Sequence, residues 1–143
     1  MIRIDEHVEV DAGAADAFAF VSRIEDYPAW LPGVTRAEPT ADGGIRLGLA
    51  GPAGIAVDAL GRVTASDPPR SISIEATSGL FRIAATCTVE PLGDGHSRIG
   101  VRADVEPRGL ATLAAGSIER ELRAAVPDTL RRLREAVEAP PAG

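Results

Sequence analysis

Residues 55–105 read IAVDALGRVTASDPPRSISIEATSGLFRIAATCTVEPLGDGHSRIGVRADV, and the alternation in this stretch decides the fold. Ile55, Val57, Ala59, Gly61 and Val63 fall on one face at period two. Phe81, Ile83, Ala85, Cys87 and Val89 do the same, as do Ile99, Val101, Ala103 and Val105. Such a period belongs to strands with one face in a core and the other in water. Turn residues divide the stretch at Asp67-Pro68-Pro69-Arg70, Ser78-Gly79 and Leu92-Gly93-Asp94-Gly95. Short strands punctuated in this way predict an antiparallel meander.

Upstream, Thr40-Ala41-Asp42-Gly43-Gly44 and Gly51-Pro52-Ala53-Gly54 add two more turns. The meander then holds six strands, over 34–39, 45–50, 55–66, 71–77, 80–90 and 97–105. A further strand spans 2–10, with Ile2, Ile4, Val8 and Val10 on one face. Glu6 interrupts that apolar face. Asp11 is the expected N-cap of a helix over 14–23. A second, short helix starts at Asp26-Tyr27-Pro28, where proline suits a first turn. It runs through Ala29-Trp30-Leu31 and closes at Pro32-Gly33. Downstream, Leu110, Leu113, Ile118, Leu122, Val126, Leu130, Leu133 and Val137 form the apolar stripe of one long helix from about 109 to 138. Glu119 with Arg123, and Arg131 with Glu135, are ion pairs four residues apart on its outer side. Pro127 should kink or divide this helix. The chain reads as a single domain over 1–138 with a frayed tail at 139–143.

Composition narrows the function classes. Apolar residues make up 45% of the 143 and charged residues 25%, the balance of a soluble globular domain. No apolar run reaches the roughly 18–20 residues that span a bilayer. Acids near the start do not resemble a secretory signal, so a cytoplasmic location is expected. The net charge of −6 argues against nucleic acid and against anionic membrane surfaces. One cysteine and two histidines leave no disulfide framework and no expected metal site. All 15 basic residues are arginine, a pattern of GC-rich coding. Without lysine, Schiff-base chemistry and the cofactors it holds are excluded, and no cofactor is expected. The expected partner is a small hydrophobic molecule; the choice between monomer and dimer stays open.

The element order is strand, two short helices, a six-strand meander and a long helix. In that order stand Val10-Asp11-Ala12 with Ala17-Phe18, then Ile24-Glu25-Asp26-Tyr27-Pro28-Ala29-Trp30-Leu31-Pro32-Gly33, then Asp67-Pro68-Pro69-Arg70 and Val89-Glu90-Pro91-Leu92-Gly93-Asp94-Gly95, and finally Leu122, Val126-Pro127, Leu130 and Leu133. With these phrases the chain resembles the START-like, or SRPBCC, superfamily over nearly its whole length. The resemblance implies an α+β helix-grip fold, a curved seven-stranded antiparallel sheet around the C-terminal helix. It also implies an apolar cavity beneath that helix, as in lipid carriers and polyketide cyclase/dehydrases.

Within that frame the expected ligand-binding residues come from three places. The sheet supplies Leu47, Leu49, Val57, Phe81, Ile83 and Cys87; the long helix supplies Leu113, Ser117, Ile118 and Glu121; the short helices supply Tyr27 and Trp30. The two aromatic rings either flank the cavity entrance or plug the core. Ser117 and Glu121 flank the apolar stripe and reach the cavity mouth; otherwise Ser117 fills a crowded spot that needs a small residue and Glu121 lies in solvent. Cys87, with no base nearby in sequence, reads as a buried inert thiol. His7 and His96 read as surface residues. Asp58, Arg62, Arg82, Thr86, Thr88, Arg98 and Arg102 fall on the outer face if the register holds. Arg82 is the one that a strand bulge would turn inward. The loop Gly51-Pro52-Ala53-Gly54 forms either a plain turn or part of the rim. No catalytic residue is assigned. Three functions fit: binding of a hydrophobic ligand, a cyclase/dehydrase reaction on an aromatic or poly-carbonyl substrate, and an accessory protein-interaction role.

Overall fold

In the computed structural model, which describes residues 1–31, 33–50 and 56–139, seven strands pair antiparallel in one curved sheet. They are Ile2–Val10 (β1), Val34–Pro39 (β2), Ile45–Ala50 (β3), Ala56–Asp67 (β4), Ser71–Thr77 (β5), Phe81–Gly93 (β6) and His96–Pro107 (β7). Their spatial order is β1-β7-β6-β5-β4-β3-β2. The two longest hairpin arms extend beyond their expected ends, because Gly95 turns at φ +75° and lets Gly93 pair with His96.

One row of residues crosses all seven strands and shows the register: Pro39, Ile45, Gly61, Ala76, Ile83, Val105 and Ile2. Every member lies on the inner face. The outer face carries the alternate residues, joined as ion pairs across the strands. Arg3 binds Asp104 at 2.9 Å, Arg102 binds Asp5 at 3.2 Å, and Arg98 binds Glu9 at 3.1 Å and Glu90 at 3.3 Å. Arg82 does not turn inward; it binds Glu75 at 3.2 Å on that same outer face. Exposed pairs of this kind are worth little individually. Their alternation with apolar neighbours nonetheless makes any one-residue slip costly, because a slip would exchange the two faces.

The helices are Ala14–Val21 (α1), Tyr27–Trp30 (α2) and Ala115–Glu138 (α3), with 3-10 turns at Ile24–Asp26 and Gly109–Ala114. α1 ends two residues before its expected end at 23. Asp11 does not cap α1. Gly13 occupies that position, while the Asp11 carboxylate lies 2.9 Å from His96 Nδ1. The Asp11 backbone N–H donates to Glu138 Oε2 at 2.7 Å, which ties the end of α3 to the end of β1. Pro127 does not divide α3, which continues unbroken through it.

Segment 109–114 departs from the expected helix. As a 3-10 turn it repeats every three residues. Ala111 and Ala114 therefore turn inward together, and Leu110 and Leu113 turn out together, 79% and 87% exposed.

Two apolar clusters form the core. The larger gathers Trp30, Ile45, Leu47, Ala59, Ile99 and Leu133 among others; the smaller holds Ile2, Phe81, Val105, Ala111 and Ile118. α3 contributes Leu133 to the first and Ile118 to the second. It is thus pinned at two points along the sheet.

Gly61 leaves no room for a side chain in this row. A Cβ there would stand 2.2 Å from the Glu75 carbonyl oxygen and 3.0 Å from Ala76 Cβ. Such overpacking moves backbone, which costs about 1–3 kcal/mol or more. Gly61→Ala is expected to lower the urea unfolding midpoint accordingly with an unchanged slope. An unchanged midpoint would show that β4 and β5 can separate at no cost.

Candidate functional site

Between its two pins α3 stands off the sheet and leaves a cavity of about 520 Å³. Leu122, Ala125, Val126, Thr129 and Leu130 of α3 form its roof, with Ile118 and Glu121 at one end. The floor is the inner face of β1, β7 and β6: Ile4 and Glu6, then Val101, Ala103 and Val105, then Phe81 and Ile83. Leu31, Gly33, Val34, Leu49 and Ala50 close the side towards β2 and β3. The floor follows from the alternation of the strands, and the small Ala103 and Ala125 make room above and below.

Three lining side chains are polar. The Thr129 hydroxyl donates to the Ala125 carbonyl at 2.9 Å and is spent within the helix. Glu121 and Glu6 have neither an ion-pair nor a side-chain hydrogen-bond partner among the described residues. Glu6 is the interruption seen in the alternation of β1. Its neighbours Arg3, Asp5 and Glu9 on the outer face are all paired, whereas Glu6 faces inward opposite Val101. The break in period was the signal that could have marked it as a site residue.

Of the residues expected to meet a ligand, the structure brings Leu49, Phe81, Ile83, Ile118 and Glu121 to the cavity wall. Leu47 is buried in the larger cluster, and Val57 and Cys87 pack against it. Leu113 lies in solvent on the 3-10 turn. Ser117 is exposed, and its hydroxyl oxygen accepts from Arg120 Nη2 at 3.2 Å. Tyr27 and Trp30 meet edge to face, with centroids 5.9 Å apart, inside the core rather than at the entrance. Trp30 is 1% exposed, and among the described residues its indole N–H has no acceptor. His7 is exposed. The loop Gly51-Pro52-Ala53-Gly54, Ile55, Pro32 and tail residues 140–143 lie outside the described residues.

Burial pushes the Cys87 thiol up to about 12, since the apolar surroundings penalise the thiolate. The same desolvation, with a smaller contribution from the charge of neighbouring Cys87, pushes the Tyr27 phenol up to about 12. Neither group is poised as a nucleophile or base near neutral pH. No helix among the described residues is long and apolar enough to cross a membrane.

Residues 1–138 match the sequence profile of a family described as polyketide cyclase / dehydrase and lipid transport. The chain belongs to that family. Its fold is the START-like helix grip, which the solved structures share. A START superfamily protein from Mycobacterium smegmatis superimposes with a TM-score of 0.77 at 20% identity, covering 95% of this chain and 97% of the other. The Zhui aromatase/cyclase of Streptomyces sp. R1128 gives 0.77 at 16%, covering 95% and 93%. The di-domain ARO/CYC BexL of the BE-7585A biosynthetic pathway gives 0.72 at 19%, covering 96% of this chain and 47% of that one. At these identities the likeness is one of fold. No curated protein matches the chain.

The raised Cys87 and Tyr27 values have a consequence for stability. Each group holds its proton in the folded state at a pH where the unfolded chain, with values near 9 and 10, has released it. The unfolded state then binds fewer protons, so stability falls as pH rises from about 9 towards 12. Urea unfolding at pH 7, 9 and 10.5 should show this decline, and Cys87→Ala should make it shallower. A flat profile across that range would contradict the burial of these two groups.

Proposed function

We propose that the protein binds a small, mainly apolar molecule (a lipid, quinone or polyketide-like compound) in the cavity between the sheet and α3. The observation that carries this reading is the cavity itself. Its volume falls within the about 300–1,000 Å³ typical of small-molecule sites, and its walls are apolar except for Glu6, Glu121 and the internally bonded Thr129. Water against such walls is released when an apolar ligand enters, which favours binding without any directed contact. Family membership supports the same reading. A cytoplasmic pool of such molecules is the expected source.

A cyclase or dehydrase reaction is the second reading, and one observation favours it. Glu6 and Glu121 line the same cavity and are groups able to accept and return a proton. In an aldol closure a carboxylate takes a proton from the carbon beside one carbonyl. The carbanion then joins a second carbonyl carbon, whose oxygen is protonated to a hydroxyl; removal of a second proton from the attacking carbon, with departure of that hydroxyl as water, forms the carbon–carbon double bond. The tyrosine, cysteine and histidines of the chain lie away from the cavity wall, so binding is the better-supported role.

Native mass spectrometry of the purified protein, followed by denaturing extraction, tests the binding reading. A co-purifying apolar species is expected, or uptake of a neutral quinone, monoacylglycerol or hydroxyanthraquinone when added. Leu122→Trp, which fills the roof of the cavity, should lower occupancy at least ten-fold while leaving the circular dichroism spectrum unchanged. Full occupancy in that folded variant, or a wild-type protein that takes up none of the three, would refute the reading.

A further inference from the structure

Glu6 lies where the fold gives it least support. Five residues of β1 face inward: Ile2, Ile4, Glu6, Val8 and Val10. Four are aliphatic, and their partners across the ladder are Val105, Ala103, Ile99 and Ser97. Glu6 stands opposite Val101, which lines the same cavity floor. An aliphatic residue at this position would extend the apolar face and strengthen β1 at the sheet edge. Ion pairing does not explain the acid, because no arginine or histidine lines the cavity among the described residues. The outer face differs: among the charged residues of β1, Arg3, Asp5 and Glu9 all find partners there. Glu121 enters the same cavity from α3, one turn before Ala125, and is equally unpartnered among the described residues. The preceding acid of the helix, Glu119, binds Arg123 at 2.9 Å.

Two unpaired acids therefore share one apolar cavity, from opposite walls. Both side chains are exposed at the cavity opening. A ligand that fills the cavity removes the water there. An apolar or anionic occupant would then leave the cavity-facing side of two carboxylates without water and with nothing in return. An anionic head would add repulsion in a medium of reduced dielectric. A protonated amine offers three N–H donors and a full positive charge, and so replaces the lost hydration at both acids.

From this, and resting on the binding reading above, we infer that the cavity selects cationic amphiphiles: molecules with an apolar body and a protonated amine that lies between Glu6 and Glu121. Apolar walls fix the body, and the two acids decide which head group is accepted. Fatty acids and other carboxylate lipids are selected against.

Three ten-carbon probes of matched length test the inference: decylamine, decanol and decanoate, each titrated calorimetrically below its micelle concentration at pH 7 in 150 mM salt. An alkylamine is protonated at this pH, with a value near that of lysine, about 10.4. Decylamine is expected to bind at least ten-fold more tightly than decanoate, with decanol between them. In the Glu6→Gln, Glu121→Gln double variant the amine-to-acid ratio should fall to within about two-fold, with decanol affinity unchanged. Should the double variant lose its native circular dichroism spectrum, each single variant should still lower the ratio at least three-fold. Glu25→Gln removes an exposed acid outside the cavity and should leave the ratio intact, which separates the site from the overall charge of −6. The inference is overturned if decanoate binds as tightly as decylamine, if the folded glutamine variants keep the wild-type ratio, or if Glu25→Gln lowers the ratio as much as they do. In each of those cases decanol binding leaves the cavity reading standing. If none of the three probes binds the wild-type protein, the cavity reading fails and the inference falls with it.

Discussion

The structure depends on one constraint: the inner face of a seven-stranded sheet must be covered, and α3 is the only element long enough to do most of it. Alternation along the strands makes that face almost wholly aliphatic, so leaving it in water would forfeit the main driving force for folding. A straight helix cannot follow a curved sheet along its whole length. It touches at two places, Ile118 and Leu133, and each belongs to a separate apolar cluster. Between them Glu121, Leu122, Ala125, Val126, Thr129 and Leu130 face open space. The cavity is a geometric remainder of covering a concave surface with a rod, and the proposed binding makes use of that remainder.

The same alternation gives the two faces of the sheet opposite characters. Outside, charged residues meet in pairs across neighbouring strands, and Ser73 and Thr86 share a hydrogen bond of 2.8 Å. Across most of its area that face offers water a polar surface. Inside, a charge appears once on β1, at Glu6, and it opens onto the cavity rather than onto the packed core. Where a pattern imposed by folding is broken at a cavity wall, ligand chemistry is the economical explanation.

Most of this architecture was legible in the chain. The strands announced themselves because period-two alternation and Gly/Pro turns are local features, and both survive into the folded state. The register of Arg62, Arg82, Arg98 and Arg102 followed from the same alternation. Segment 109–114 was not legible, since six residues cannot separate a period of 3.0 from one of 3.6. Leu110 and Leu113 consequently seemed to continue the stripe of α3. Tyr27 and Trp30 allowed two placements because a four-residue helix has little phase of its own; packing against β2 and α3 decided it. Ile4, Val101, Ala103 and Val105 were readable as inward-facing but not as cavity walls. Whether an inward residue meets the helix or a void depends on where the helix is pinned, and that is a property of the tertiary structure alone. Asp11 suited a helix cap by type, yet His96 and Glu138, distant in sequence, claimed its side chain and its N–H.

On the proposed function, the space between the two pins, rather than either packed cluster, receives the ligand. Methyl-labelled NMR spectra recorded during titration with decanol address it directly. Shifts are expected in the methyls of Ile4, Val101, Leu122, Val126 and Leu130, with Ile45, Ile99 and Leu133 unmoved. Shifts confined to the core methyls, or spread evenly over the outer surface, would contradict it.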